Sequence, residues 1–285
     1  MSSDSPLRPA LVEGVLAKLG FDAAPAVDLA GLASLYDAWC RSVPFDNLQK
    51  LIHIGSANPA PLPGDTPEEF FEAWLADGAG GTCWAGNGAL ASLLSALGFA
   101  ARRAIATMLV APNLPPNHGS VSVALDGGTW LADASMLHGS PLRLDPAKET
   151  EVPHPAWGLR ARPDCACWIV TWRAAHRAGG LDCRIDSLDG TARGFRELHE
   201  QTRTWSPFNF QLHARVNRGD GVVSVSGDQR TEYDASGAVH TSTLDAEGRT
   251  RFLVEELGVS EELAARVPED RPMPPPPGAR TAAGT

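Results

Sequence analysis

The sequence predicts an α+β fold. Two observations carry that prediction: apolar residues recur at helical spacing through the first third of the chain, and runs of strand character follow through the middle. Helical spacing returns near the C-terminal end. With 285 residues, 43% of them hydrophobic, the chain can build one sizeable core or a few smaller modules.

The elements are justified in order. Leu11, Val15, Leu16 and Leu19 share one helical face, and so do Leu32, Leu35 and Trp39. Thr66-Pro67-Glu68-Glu69 is a capping box with proline at the first helical position. It opens a helix that carries Phe70, Phe71 and Trp74 and stops near Gly78. The next helix starts beside Cys83, buries Leu90, Leu93, Leu94 and Leu97, and ends at Gly98. Residues 101–110 and 119–133 read as extended. Residues 141–163, PLRLDPAKETEVPHPAWGLRARP, read as a proline-broken connection. Strands are expected at 167–172, 210–216, 222–225 and 239–244, and helices at 251–257 and 261–267. The tail from Pro268 holds too little apolar matter to pack and is expected to be disordered. No internal repeat is visible.

Composition excludes several function classes. The net charge is −10 and no basic cluster exists, which argues against nucleic acid. No apolar run reaches the length of about 18 residues that a membrane span needs. The start, MSSDSPLRPALVEG, lacks the pattern of a secretory signal. Five cysteines, an odd count, point to reduced thiols and a cytoplasmic location. Cys165, Cys167, His176 and Cys183 are candidate zinc ligands by type. Their spacing matches no common zinc pattern, so small apolar thiols around a strand are expected and no metal.

The stretch GAGGTCWAGNGAL, residues 78–90, is the chemical focus. Gly80 and Gly81 allow a tight turn, and Thr82 can cap the following helix. Cys83 then falls in the first helical turn, where unpaired N–H groups and the helix dipole favour a thiolate. Asn87, one turn on, shares its face. Locally, a nucleophile and an ordinary buried thiol are equally compatible with this pattern.

A nucleophilic cysteine needs a base and a group to orient that base. Of the eight histidines, His118 stands out because it closes the loop APNLPPN and begins SVSVALDGGTWLAD, two alternating runs around Asp-Gly. With Asp126 and Gly127 as the turn residues, Asp133 lies opposite Ser120. His118 is then its diagonal neighbour on the same face, at roughly 7–8 Å between Cβ atoms. Val121, Val123 and Trp130 point to the other face, into a core. With Gly127 and Gly128 as the turn, Asp133 faces Ser122 and His118 is out of reach. Both registers are open at this level.

Several segments, in order, resemble the arylamine N-acetyltransferase family. LASLYDAWCRSVPFDNL, residues 32–48, resembles its helix followed by V-P-F-E-N-L. GGTCWAGNG resembles its G-G-x-C-x-x-x-N segment. GFAARRAIATMLV and HGSVSVALDGGTWLAD resemble its strand, histidine and hairpin ending in aspartate. FRELHEQTRTWSPFNFQLHARV, residues 195–216, resembles the segment with S-P-F before its C-terminal region. The resemblance runs with gaps from about residue 10 to 267, with 35 residues from Cys83 to His118 and 15 from His118 to Asp133.

The resemblance implies a helical bundle (1–98) carrying the nucleophile and a β-barrel (99–205) carrying histidine and aspartate, a core akin to that of cysteine proteases. A C-terminal α/β lid (206–267) and a disordered tail (268–285) would follow. It implies a catalytic triad of Cys83, His118 and Asp133, with Cys83 taking an acyl group from coenzyme A and passing it to a small-molecule amine in a ping-pong cycle. No cofactor would be permanently bound. Phe45, Met136, Leu137 and Phe208 would line the substrate site, although Phe45 with Asp46 and Asn47 can equally fix a loop and Phe208 can be core.

The chain departs from the family's pattern at four places. Ala79 stands where arginine is usual and Ala85 where glutamate is common. Met136 replaces an aromatic, and Leu137 replaces a glycine beside the acyl-coenzyme A path. These departures suggest an amide synthase of small-molecule biosynthesis, with a longer or carrier-bound acyl donor and an acyl carrier protein as a partner. Two rivals remain. G-T-C-W-A resembles the papain-like peptidases, with His213 at 130 residues downstream as the base. An inactive small-molecule binding protein on the same scaffold is the other.

Overall fold

The computed structural model describes residues 6–174 and 179–275. Five helices fill the first third: α1 (Pro9–Lys18), α2 (Leu29–Ser42), α3 (Leu48–Gly55), α4 (Pro67–Asp77) and α5 (Cys83–Ala96). A two-residue strand, β1 (Phe45–Asp46), lies between α2 and α3. The capping box opens α4 as expected, Thr66 Oγ1 accepting from Glu69 N–H at 3.2 Å. Leu32, Leu35, Trp39, Phe71, Trp74, Leu90 and Leu93 meet in one core with both valines of the hairpin, Val121 and Val123. Leu97 is only half-buried, and Phe99, just past the helix, takes the buried place.

The middle of the chain forms β2 (Ala100–Met108), β3 (His118–Leu125), β4 (Gly128–Ala132), β5 (Leu142–Leu144), β6 (Thr150–Val152), β7 (Leu159–Asp164), β8 (Cys167–Trp172) and β9 (Leu181–Gly190). They make one antiparallel sheet in the order β5-β4-β3-β2-β9-β8-β7-β6. Its two edges approach each other, β5 lying against β6 and β7, so the sheet nearly closes into a barrel. Leu131, Met136, Leu142, Leu159, Val170, Cys183 and Ile185 fill its interior. Three of these strands lie inside the stretch read as a proline-broken connection. Pro155 falls between β6 and β7, and Pro163 sits near the end of β7, so the prolines interrupt rather than forbid pairing.

The chain then forms α6 (Ala192–Gln201), β10 (His213–Arg218), β11 (Gly221–Ser226), β12 (Gln229–Tyr233), β13 (Val239–Thr243), α7 (Ala246–Arg251), a π-helical turn at Phe252–Glu256 and α8 (Glu261–Arg266). The second sheet runs β1-β10-β11-β12-β13, so a strand from the first third of the chain forms its edge. One face of this sheet is apolar. Ala214, Val216, Val223 and Val225 pack there on Phe252, Leu253, Leu257 and Leu263. The other face carries Arg215 and Asn217, with Phe45 directly opposite Arg215. The architecture is thus α+β: a helical bundle, a barrel-like sheet and a C-terminal α/β layer.

The first part of the tail is held in place, contrary to expectation. Leu212 N–H donates to Asp270 Oδ1 at 2.8 Å, Arg271 N–H donates to Phe210 O at 2.8 Å, and Arg249 pairs with Asp270 at 2.9 Å. Polar contacts do what apolar content cannot. Residues 276–285 of the tail lie outside the described residues. Among the described residues no helix is long and apolar enough to cross a membrane.

Candidate active site

Cys83 is the first residue of α5 and is 6% exposed. Its position is set from behind. Asp46 Oδ2 accepts from Gly80 N–H at 2.7 Å, and Asp46 N–H donates to Gly81 O at 3.3 Å. A Cβ on residue 80 would stand 1.9 Å from Pro44 O, so only glycine lets the two segments approach this closely. Asp46 is 1% exposed, and burial pushes its carboxyl up to about 6 although Leu48 and Gly80 N–H groups favour the anion. The first helical bond of α5 runs from Gly86 N–H to Thr82 O at 2.9 Å. The N–H groups of the first turn therefore have no acceptor inside the helix. Thr82 is the N-cap residue, but its side chain makes no capping bond, contrary to expectation.

The hairpin adopts the Asp126-Gly127 register. Asp126 (φ 51°) and Gly127 (φ 70°) both take left-handed conformations, as a tight two-residue turn requires, and Val121 pairs with Ala132. That choice brings His118 to Asp133. His118 Nε2 and Asp133 Oδ2 are 2.8 Å apart, with side chains 4% and 0% exposed. Nδ1 is the ring nitrogen that Asp133 leaves free, and the Cys83 thiol is close enough to act on the ring. Cys83 Sγ itself lies 4.0 Å from Asn117 O. Burial alone would lower the His118 pKa; the Asp133 charge and the bonds to Asp133 and Cys83 outweigh it and raise the ring to about 10. Burial likewise opposes ionisation of Asp133, and His118, Ser135 and Met136 reverse the effect, holding its carboxyl well below the usual range.

Other residues hold the pair. Asp133 Oδ1 accepts from Ser135 N–H (2.9 Å), Ser135 Oγ–H (2.7 Å) and Met136 N–H (2.9 Å). Asn87 donates to Cys83 O at 3.0 Å and Gly119 O at 2.7 Å, and accepts from Ala134 N–H at 2.9 Å. It therefore ties α5 to β3 and to the chain just after β4. Its sequence signals are the face it shares with Cys83 and its place in the G-G-x-C-x-x-x-N segment. Tyr36 was not anticipated. Its hydroxyl donates to Asp133 O at 2.8 Å and accepts from Asp133 N–H at 3.0 Å, fixing the aspartate backbone from 97 residues away. A tyrosine within an apolar helical stripe gives no local hint of that partner.

The residues expected at the substrate site are scattered. Phe45 and Phe208 are half-buried and meet edge to face at 5.4 Å. Met136 and Leu137 are buried, the first in the barrel interior and the second in the helical core. Leu137 has φ 50°, a left-handed conformation that explains a glycine in the resembling pattern. Ala79 and Ala85 pack in separate apolar clusters. His213 stands edge-on to Phe208 at 5.1 Å and is not the ring that Asp133 holds. A small cleft lies on the opposite face of α5, lined by Trp84, Ala85, Phe195 and His199, and Cys83, His118 and Asp133 do not line it.

The cysteines weighed for zinc do not gather. Cys183 is buried in the barrel, Cys165 is exposed in the turn between β7 and β8, and His176 lies outside the described residues. No group of three or more candidate ligands exists among the described residues.

Known proteins resemble the chain along most of its length. The family model described as N-acetyltransferase matches residues 28–266. An arylamine N-acetyltransferase of Mycolicibacterium smegmatis is 30% identical over 161 residues, 53% of this chain and 56% of that protein. One from Escherichia coli is 24% identical over 265 residues, covering 87% of this chain and 88% of its own. Among solved structures, the M. smegmatis arylamine N-acetyltransferase superposes with a TM-score of 0.75 at 23% identity, over 90% of this chain and 97% of its own. The Mycobacterium marinum arylamine N-acetyltransferase in complex with CoA gives 0.77 at 20% identity, over 90% and 98%.

Proposed function

The chain belongs to the arylamine N-acetyltransferase family, an enzyme family of acetyl transfer to amines, and on that premise we propose that Cys83, His118 and Asp133 form its catalytic triad. The observation that carries this reading is the 2.8 Å His118–Asp133 bond behind a cysteine at a helix start. Coenzyme A, which the M. marinum relative binds, is the proposed carrier of the acyl group, with no permanently bound cofactor.

The steps follow from the geometry. His118 Nδ1 takes the thiol proton and Asp133 stabilises the imidazolium. The Cys83 thiolate attacks the thioester carbonyl. First-turn N–H groups of α5, which have no acceptor inside the helix, are the donors available to the developing oxyanion. Collapse breaks the C–S bond to coenzyme A, whose sulfur takes the proton back from His118. An amine then attacks the Cys83 thioester and gives its proton to His118. The proton returns to the Cys83 sulfur as that bond breaks, and the amide leaves.

Incubation with acetyl-CoA should add one acetyl mass to Cys83, removed by an aromatic amine such as 4-methoxyaniline. Asp133→Asn should lower kcat/KM by about 10³–10⁴-fold through loss of the tautomer control seen in comparable triads. Labelling that survives Cys83→Ala would overturn the assignment. Leu137 favours a second reading, in which the bulk it places in this loop suits a donor other than acetyl-CoA. A carrier-protein thioester that labels Cys83 where acetyl-CoA does not would select it.

A further inference from the structure

Arg215 lies on β10 and is 5% exposed. Its Nη1 donates to Arg173 O at 3.4 Å, a long bond. Its Nε and Nη2 have no partner among the described residues. Burial lowers its pKa to about 10, so the guanidinium stays charged at neutral pH. Cys40, Tyr36 and Tyr233 outrank the one carboxylate that acts on it, Asp133, which is already committed to His118, Ser135 and Met136. Among the described residues this buried cation therefore has no ion-pair partner, an arrangement that is costly unless something pairs with it.

Its surroundings are unsatisfied in the same way. The Trp172 ring lies 5.3 Å from the guanidinium, and its Nε1–H has no acceptor. Asn217, two residues along the same sheet face, donates to Leu137 O at 2.7 Å and leaves Oδ1 unpaired. His138 follows Leu137 and feels the Arg215 charge. Its Nδ1–H donates to Ser140 O at 2.7 Å, and Nε2 is unpaired. Buried polar atoms are paired as a rule, and each exception needs a cause.

The free nitrogens identify the missing partner. Nε and Nη2 form the side edge of the guanidinium, and two parallel N–H donors there match the two oxygens of a carboxylate. We propose that Arg215 is a specificity-determining residue that holds a carboxylate of the substrate, with Trp172 Nε1–H beside it. Phe45 shares the sheet face, and the loop from Asp133 to His138 separates this point from the triad, so the carboxylate belongs to a reactant whose other end reaches Cys83. That last step rests on the acyl-transfer reading. The strained Leu137 in this loop is the piece that must shift to admit the ligand.

The carboxylate can come from the acyl group or from the amine, and two matched pairs separate these sources. Succinyl-CoA is compared with butyryl-CoA, and 4-aminobenzoate with 4-aminobenzamide. Dissociation constants are measured calorimetrically on Cys83→Ala protein, with and without Arg215→Met, and kcat/KM on the corresponding active forms. We expect the charged member of one pair to bind at least tenfold tighter than its neutral mate, and Arg215→Met to erase that ratio. Arg215→Lys should restore it only in part, because an ammonium lacks the fork. Replacing a lone buried charge by methionine is neutral or stabilising, so the variant should fold. Discrimination in the succinyl pair places the carboxylate on the donor, and in the benzoate pair on the acceptor. Equal binding within both pairs, or equal weakening of both members by Arg215→Met, overturns the proposal. Cys83 that takes no acyl group while Arg215-dependent binding persists would sink the acyl-transfer reading alone.

Discussion

His118 gives the protein a signed response to pH. Its ordinary value is 6.5, and Asp133 and Cys83 raise it to about 10 in the folded state against the opposing effect of burial. A raised value means that its contribution to stability is complete below 6.5 and is lost as pH rises through the folded value. The unfolding free energy from urea titrations should therefore fall between pH 6.5 and 10, at most by about 1.4 kcal/mol per pH unit, and the urea midpoint with it. His118→Gln should flatten that slope while lowering the midpoint throughout, since Asp133 is left buried without its partner. Parallel slopes for the two proteins would contradict the assignment. At this scale the pair is half-legible in the sequence: a two-residue turn fixes which residues of a hairpin face each other, but the sequence leaves two turns open and only the Asp126-Gly127 one brings His118 to Asp133. Tyr36, Asn47 and Arg215 act across 97, 166 and 42 residues, and nothing local encodes such partners.

Elements with strong periodicity or caps are legible, and short or polar ones are not. Helix α5 and the hairpin β3–β4 could be read from Leu90, Leu93, Leu94 and the Asp-Gly turn. Strand β6 has three residues, and α6 buries only Ala192, Phe195 and His199, so neither offers a period long enough to recognise. Strand β9 alternates, with Leu181, Cys183 and Ile185 inward, and Cys183 is the small apolar thiol of a strand that the sequence suggests, although the strand's bounds are not legible. The loop after β4 is the element where strain and packing compete. Leu137→Gly would relieve a left-handed conformation worth about 1–2 kcal/mol. It would also remove a fully buried side chain at a cost of about 2–5 kcal/mol. At their centres packing wins, so chemical denaturation should show a net loss of roughly 2 kcal/mol, within the span of about 0–4 that those two costs allow. Cys83 acylation by butyryl-CoA should speed up relative to acetyl-CoA, since the shortened side chain widens the loop. An unchanged ratio would show that Leu137 does not border the acyl path.

At the scale of the molecule, one asparagine stitches the first third of the chain to the last. Asn47, 1% exposed, donates to Phe208 O at 2.9 Å and Gln211 O at 2.7 Å, and its Oδ1 accepts from His213 N–H at 2.8 Å. Beside it, β1 adds its edge to the C-terminal sheet, and Leu48 and Ala79 enter the core of that layer. The neighbouring Asp46 braces the turn before Cys83. The C-terminal layer and the turn before Cys83 therefore share one segment, Pro44-Phe45-Asp46-Asn47-Leu48, and should unfold together. Asn47→Ala strands a buried N–H and two carbonyls, at about 1–3 kcal/mol for each group left unpaired. Relaxation lets water reach some of them, so a loss of about 2–5 kcal/mol is expected. If the layers are one cooperative unit, tryptophan fluorescence, far-UV circular dichroism and Cys83 alkylation should shift to the same lower urea concentration. An Asn47→Ala protein whose C-terminal layer melts first, with Cys83 still protected, would show instead that this layer is held to the rest of the fold by contacts other than this segment.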